Sequence, residues 1–223
     1  MIKFRTRTFL ALTTPAVLLL TTLCPAPAAA GAPQPPALDA RVTTVSARDL
    51  GRSWHPGCPV APAELRRIRM NHWGFDGRVH TGELVVRRQA VRPLLYVFGK
   101  AFAARFPIRQ MRTMAEFGGS DVAAMKADNT SAFNCRRVTG DPSKVSQHSY
   151  GDAVDINTVE NPYVDRNGRV YPASGAAHLD RRRTAQGMIR AGDAVTTAMR
   201  AVGWQWGGRW PAPDYQHFSA NGR

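Results

Sequence analysis

The chain has 223 residues, of which 43% are hydrophobic and 21% are charged. With 19 glycines, 16 prolines and 3 cysteines, its composition is neither collagen-like nor that of a disulfide-rich miniprotein, and it can form one folded core. Lys and Arg number 30 against 16 Asp and Glu, which gives a formal net charge of +14. No internal repeat of fixed period is present, which argues against a solenoid or a propeller.

Residues 1–30 have the pattern of a secretory signal peptide. Lys3, Arg5 and Arg7 precede an apolar stretch over residues 9–23, and alanines at 28–30 provide a cleavage site. The apolar stretch is short and interrupted by proline, which argues against a stable membrane span. We therefore expect an exported protein without a membrane span after signal removal. Cleavage would remove three basic and no acidic residues, leaving a net charge of +11.

Export changes the meaning of the cysteines. Cys24 would leave with the signal, so that Cys58 and Cys135 remain, 77 positions apart. In an oxidising compartment these two can form one intramolecular disulfide, which we favour over two unpaired buried thiols. We expect no metal role for either cysteine.

The first part of the mature chain contains one strong helix signal. We expect residues 31–50 to be a flexible lead, because they are rich in Pro and Ala and then polar, and residues 51–223 to form the folded domain. A short helix is predicted over residues 63–70 and a strand over 82–86. Apolar residues recur at helical spacing over residues 88–105, which predicts an amphipathic helix.

The second part of the chain is divided into shorter elements. Strands are predicted over residues 108–114, 131–138, 153–157 and 215–219, with loops over 118–129 and 161–180. Asp193 is expected to cap a helix that runs through Val202. Strands and helices do not alternate regularly, so the sequence predicts an α+β fold rather than a doubly wound parallel sheet.

Two short segments carry side chains that can bind a metal. Residues 146–155 read SQHSYGDAVD, and residues 214–217 read DYQH. Zinc in hydrolases takes three protein ligands from His, Asp or Glu and keeps a fourth position open. His148 and Asp155 can supply two ligands if Gly151 turns the chain back, and His217 can supply the third. The alternative is that these are ordinary surface or core residues, and the other histidines have no comparable carboxylate partners.

Asp214 has a different expected role. It precedes His217 by three residues, so it can lie beside a metal without binding it. An unbound carboxylate at that place can accept a proton from an attacking water.

The chain resembles the D-alanyl-D-alanine carboxypeptidase family of zinc peptidases, which includes the vancomycin-resistance dipeptidases and the phage L-alanyl-D-glutamate endolysins. The resemblance rests on Ser-x-His-x-x-Gly-x-Ala-x-Asp over 146–155, on Asp-x-x-His over 214–217, and on segments at 129–136, 155–163 and 203–208. It covers residues 54–218. It implies a Hedgehog/D-Ala-D-Ala peptidase-like fold, in which a small antiparallel sheet is flanked by helices and zinc lies on one sheet face.

The resemblance also implies roles for individual residues. It makes His148, Asp155 and His217 the zinc ligands and Asp214 the catalytic base, and it places the substrate-polarising arginine of the family at Arg136. Many relatives have Glu at the base position. Asp is closer to the endopeptidase branch, so the scissile bond stays open between D-alanyl-D-alanine and L-alanyl-D-glutamate.

Three functions are consistent with these features. We expect a monomeric secreted peptidase that associates with the anionic cell wall and acts on peptidoglycan stem peptides. A non-catalytic wall-binding module is the first alternative, although all four metal and base residues are present. A nucleic-acid-binding protein is the second, but the basic residues are dispersed and no recognition motif is present. We therefore expect no nucleic-acid partner.

Overall fold

A computed structural model describes residues 37–222 of the chain. The predicted signal at 1–30 and the beginning of the predicted lead lie outside the described residues. The strands are β1 (Ala40–Thr44), β2 (Leu65–Trp73), β3 (Val79–Arg87), β4 (Gln110–Met111), β5 (Asn129–Thr130), β6 (Arg137–Val138), β7 (Asp141–Val145), β8 (Ala153–Asp155), β9 (Tyr163–Val164), β10 (Val170–Tyr171), β11 (Gln205–Trp206) and β12 (His217–Ser219). The helices are α1 (Ala47–Leu50), α2 (Val91–Ala103), α3 (Asp121–Lys126) and α4 (Ala194–Ala201).

The longest strands form an antiparallel sheet in the order β1-β2-β3. Two expectations were wrong here. Residues 40–44 of the expected flexible lead pair with β2 along their whole length. The segment 63–70, expected to be a helix, is the end of a 3-10 turn at Pro62–Glu64 followed by the first six residues of β2. Its buried residues Ile68 and Met70 follow strand alternation, and strand partners on both sides satisfy the backbone of β2.

A second antiparallel sheet has the order β11-β12-β8. Its central strand, β12, pairs with β8 so that His217 lies directly opposite Asp155. Side chains of directly opposed residues project from the same sheet face. The register of this small sheet therefore brings together two residues that lie 62 positions apart in sequence.

The remaining strands, each two to five residues long, pair two by two. β6 with β7 and β9 with β10 are antiparallel hairpins, whereas β4 and β5 are parallel. Of the strand expected over 131–138, the structure retains only β6 and an isolated bridge between Ser131 and Asp155. The loop expected over 118–129 contains α3, which Ser120 caps by accepting a hydrogen bond from the backbone of Ala123.

The main core lies between the two three-stranded sheets and helices α2 and α4. Leu94 and Phe98 of α2 are buried together with Met199 of α4, Val154 of β8 and Phe218 of β12. The helix predicted over 88–105 is confirmed as α2 after one 3-10 turn at Arg88–Ala90. The predicted cap of α4 is also present, because Asp193 accepts a hydrogen bond from the backbone of Thr196.

A smaller core lies beside the disulfide. Leu50, Leu65 and Phe133 are buried there against Cys135. Cys135 is joined to Cys58, as the sequence predicted. The bond links the segment before β2 to the segment before β6.

A buried carboxyl pair connects the end of α3 with the segment after β8. Asp128 Oδ2 lies 3.3 Å from Arg109 Nε, and Glu160 Oε1 lies 3.5 Å from Arg109 Nη2. Both carboxyl groups are largely buried, whereas the arginine is about half exposed. Burial raises the pKa of Glu160 to about 7, and hydrogen bonding and charge repulsion from Asp128 act in the same direction.

The architecture is therefore mixed, with antiparallel sheets and separate helices, as expected for an α+β fold. It differs from the expectation of one small sheet, because two three-stranded sheets share the core. Among residues 37–222, no helix has the length and apolar character needed to cross a bilayer.

Candidate metal centre

Three buried side chains meet on one face of the second sheet. Asp155 Oδ2 lies 3.0 Å from His148 Nε2, and Asp155 Oδ1 lies 3.0 Å from His217 Nδ1. The two imidazole nitrogens are 3.2 Å apart. All three residues are at least 94% buried. The structure thus brings together the three metal-ligand candidates that the sequence indicated.

The position of His148 follows from a short turn before β8. Residues Gln147–Tyr150 form a 3-10 turn, which begins at Ser146 and ends at Gly151 with φ of 71°. A Cβ at Gly151 would lie 2.7 Å from the backbone nitrogen of Arg87, so only glycine fits between this turn and β3. The turn directs the imidazole of His148 toward Asp155.

The ring orientation of His148 is fixed from behind. Its Nδ1 lies 2.5 Å from the carbonyl oxygen of Ala132, so Nδ1 donates a proton to that oxygen and Nε2 is the nitrogen that faces Asp155. Metal-binding histidines are held in this way in general. Burial disfavours ionisation of Asp155, but the neighbouring imidazoles hold the pKa of Asp155 below its usual range. The carboxylate is therefore charged at neutral pH.

The donor set fits zinc. Tetrahedral zinc with ligand distances of about 2.0–2.1 Å holds its donor atoms roughly 3.3–3.4 Å apart. The two imidazole nitrogens are 3.2 Å apart, and each lies 3.0 Å from one of the two Asp155 carboxylate oxygens, which is close to that spacing. Two nitrogens and one carboxylate oxygen are also the ligand types that zinc takes in hydrolases.

Asp214 lies beside this set without belonging to it. Its backbone is held by a bridge to Tyr163 and by a hydrogen bond to Gly207. The Oδ1 atom is shielded from solvent and has no hydrogen-bond partner within residues 37–222. Burial, together with the negative charge of Asp155, raises the pKa of Asp214 to about 7. These properties suit a group that gains and loses a proton.

Arg136 and Arg137 have different surroundings. Arg136 lines the same cleft as the three metal-ligand candidates and is 17% exposed in its side chain. Arg137 is exposed, and its guanidinium reaches the carbonyl oxygen of Ser143 within its own hairpin. Of the two neighbours, only Arg136 can contact a molecule in the cleft.

Residues 139–220 match the family model described as D-alanyl-D-alanine carboxypeptidase. The segment is thus similar to peptidases of that family. The family resemblance is thereby confirmed for the segment that contains His148, Asp155, Asp214 and His217, whereas Arg136 lies just outside it. No curated protein and no solved structure matched the chain in comparison.

The cleft beside the three metal-ligand candidates has a volume of about 810 Å³. The hairpin of β6 and β7 lines it on one side, and Trp210 lines it beside His217, with ring centroids 5.5 Å apart. Two neighbouring tryptophans, Trp204 and Trp206, do not line the cleft. Trp204 is buried in the core, and Trp206 stacks on Phe218.

Asp121 is a cleft residue that was not predicted from the sequence. This residue begins α3 and lines the cleft, but its segment was read as a loop because the helix has only six residues. The signal that was available is Ser120 followed by an acidic residue, the pattern of a helix N-terminus.

Proposed function

We propose that the protein is a secreted zinc peptidase that hydrolyses peptide bonds in peptidoglycan stem peptides. The observation that carries this proposal is the convergence of His148, Asp155 and His217 inside a segment that matches a peptidase family. The scissile bond would be D-alanyl-D-alanine, as in a carboxypeptidase, or L-alanyl-D-glutamate, as in an endopeptidase. The family's Hedgehog-like fold and the zinc face of its sheet are part of the same proposal.

His148, Asp155 and His217 would hold the zinc ion. A bound zinc ion would act as a Lewis acid, which polarises an amide carbonyl and makes water a stronger nucleophile. The imidazoles supply neutral nitrogens, and Asp155 supplies the negative charge. The carbonyl oxygen of Ala132 keeps His148 in the tautomer that this arrangement requires.

Asp214 would move the proton. Its unpartnered Oδ1 accepts a proton as the water oxygen bonds to the carbonyl carbon. The same carboxyl group then delivers that proton to the amide nitrogen as the carbon–nitrogen bond breaks. The products are a free carboxylate and a free amine, and Asp214 returns to its starting state.

Arg136 would stabilise the charge that develops on the carbonyl oxygen. Its guanidinium lies on the cleft wall and keeps Nε buried without a hydrogen-bond partner among the described residues. A donor that is already in place when negative charge develops contributes several kcal/mol to catalysis, typically about 3–4. This role extends the family resemblance to a residue outside the matched segment.

The proposed setting is the exterior of the cell. The disulfide between Cys58 and Cys135 is compatible with an oxidising compartment, and the sequence before the domain has the pattern of a signal peptide. The net charge of the mature chain favours contact with an anionic wall. We propose that the protein acts there as a monomer, without a nucleic-acid partner.

Metal analysis of the purified protein, combined with a digest of isolated peptidoglycan, tests the proposal. A peptidase retains about one equivalent of zinc and releases new amino groups from the wall. A wall-binding module would sediment with peptidoglycan and release none. A nucleic-acid-binding protein would do neither and would bind duplex DNA with a strong dependence on salt.

A further inference from the structure

The guanidinium of Arg136 is held by a single carboxylate. Asp121 Oδ1 lies 2.8 Å from Arg136 Nη2, and both side chains are more than four-fifths buried. The second oxygen, Asp121 Oδ2, accepts a hydrogen bond of 2.6 Å from Thr139 Oγ1. Asp121, the first residue of α3, thus contacts both Arg136 and the β6–β7 hairpin.

The backbone of Arg136 is fixed from the opposite side. Its N–H donates to Ser149 Oγ over 3.0 Å, and its carbonyl oxygen accepts from the N–H of Ser146 over 3.0 Å. Ser146 and Ser149 lie in the turn that carries His148. The turn therefore fixes the backbone of Arg136, and Asp121 fixes the position of its guanidinium group.

We propose that Asp121 is a positioning residue that holds the Arg136 guanidinium in place for the reaction, with Thr139 orienting the Asp121 carboxylate. The inference rests on the proposed function, because it takes Arg136 as the group that contacts the substrate carbonyl. Asp121 itself is not proposed to contact the substrate.

Physical reasons favour this role over a purely structural one. A free arginine side chain has many rotamers, and only a pre-oriented donor avoids losing their entropy during the reaction. The carboxylate occupies one guanidinium nitrogen, and the carbonyl oxygen of Arg137 accepts from another. Nε is itself shielded, so a carbonyl oxygen of the substrate would be met by the part of the guanidinium that lines the cleft, where the side chain keeps 17% exposure.

The test compares steady-state hydrolysis of a defined stem peptide by four zinc-loaded proteins. These are the wild type, Asp121→Asn, Arg136→Ala and the double variant. Asp121→Asn keeps the shape of the side chain and removes its charge. Loss of an outer positioning partner typically lowers activity by about 10- to 100-fold, and we expect kcat and kcat/KM to fall together because the interaction serves the transition state.

The double variant separates positioning from structure. If Asp121 acts through Arg136, Asp121→Asn has no further effect on kcat once Arg136 is alanine. Thr139→Val should give a smaller loss in the same direction, and Thr139→Ser, which keeps the hydroxyl group, should restore activity. Glu116→Gln is the matched control, because Glu116 forms an exposed ion pair of 2.6 Å with Arg112 and lies outside the cleft.

Each outcome bears on one claim. Independent, multiplicative losses from Asp121→Asn and Arg136→Ala would overturn the inference, and so would normal kcat in Asp121→Asn while the wild type is active. A wild type that binds zinc but cleaves no stem peptide would overturn the proposed function, and the inference with it. Zinc content and thermal unfolding measured on every variant show whether a loss of rate reflects a loss of folding.

Discussion

Replacement of Asp214 by Asn separates a proton carrier from a metal ligand. The two side chains have nearly the same shape, but the amide cannot accept a proton at neutral pH. Asp214 lies beside the donor set, and the three donor atoms that meet there belong to His148, Asp155 and His217. We therefore expect Asp214→Asn to retain close to one equivalent of zinc.

The expected loss of rate follows from the surroundings of Asp214. Its Oδ1 is shielded and unpartnered among the described residues, and the nearby Asp121 carboxylate is engaged by Arg136 and Thr139. No replacement base is therefore in place. A positioned general base contributes about 10²- to 10⁴-fold, so kcat should fall by that factor, which raises the barrier by roughly 3–5 kcal/mol.

The assay measures zinc content and hydrolysis of a stem peptide on one preparation. Asp214→Glu, which places the carboxylate found in many relatives, should keep much of the activity. Asp180→Asn, at an exposed ion pair with Arg182, is the control for loss of a surface charge. Zinc loss in Asp214→Asn would make Asp214 a ligand, and near-normal kcat would remove it from the mechanism.

Three further predictions concern the rest of the molecule. Arg136→Ala should lower kcat by about 10²–10³, whereas the exposed Arg137→Ala should leave it nearly unchanged; equal, mild effects in steady-state assays would contradict the assignment. Because the pKa of Glu160 is raised to about 7 in the folded protein, the wild type should lose stability as pH rises from about 4.5 through 7. At pH 8, the free energy of unfolding of Glu160→Gln should exceed that of the wild type by at most about 3 kcal/mol. At pH 4.5 the two proteins should have similar stability, and an equal difference at both pH values would refute this explanation. Replacing Cys58 and Cys135 by serine should lower the free energy of unfolding by up to about 4.5 kcal/mol, given a closed loop of this length, and unchanged denaturant midpoints would contradict it.

The sequence was most informative where a residue type and a local geometry coincide. The Ser-x-His-x-x-Gly-x-Ala-x-Asp spacing indicated His148 and Asp155, and the structure places a capped turn, a left-handed glycine and a strand in that order. Apolar periodicity likewise predicted α2, because a helix that covers the core must present one continuous apolar face. These features depend on neighbours within about ten residues.

The sequence failed where pairing partners lie far apart. A short helix was predicted over residues 63–70, but pairing with β1 and β3 on both sides makes residues 65–73 a strand. The opposition of Asp155 and His217 across β8 and β12 also depends on register, which no local pattern fixes. Asp121 was missed for the same reason, since its importance comes from Arg136, which is distant in sequence.

The most direct test of peptidase function is mass spectrometry of the products formed from a defined muropeptide by the purified protein with zinc. The protein should cut one bond, giving either loss of the terminal D-alanine or release of a peptide that begins at D-glutamate. Chelation should stop the reaction, and added zinc should restore it. An intact muropeptide after incubation with protein that carries one equivalent of zinc would contradict the account.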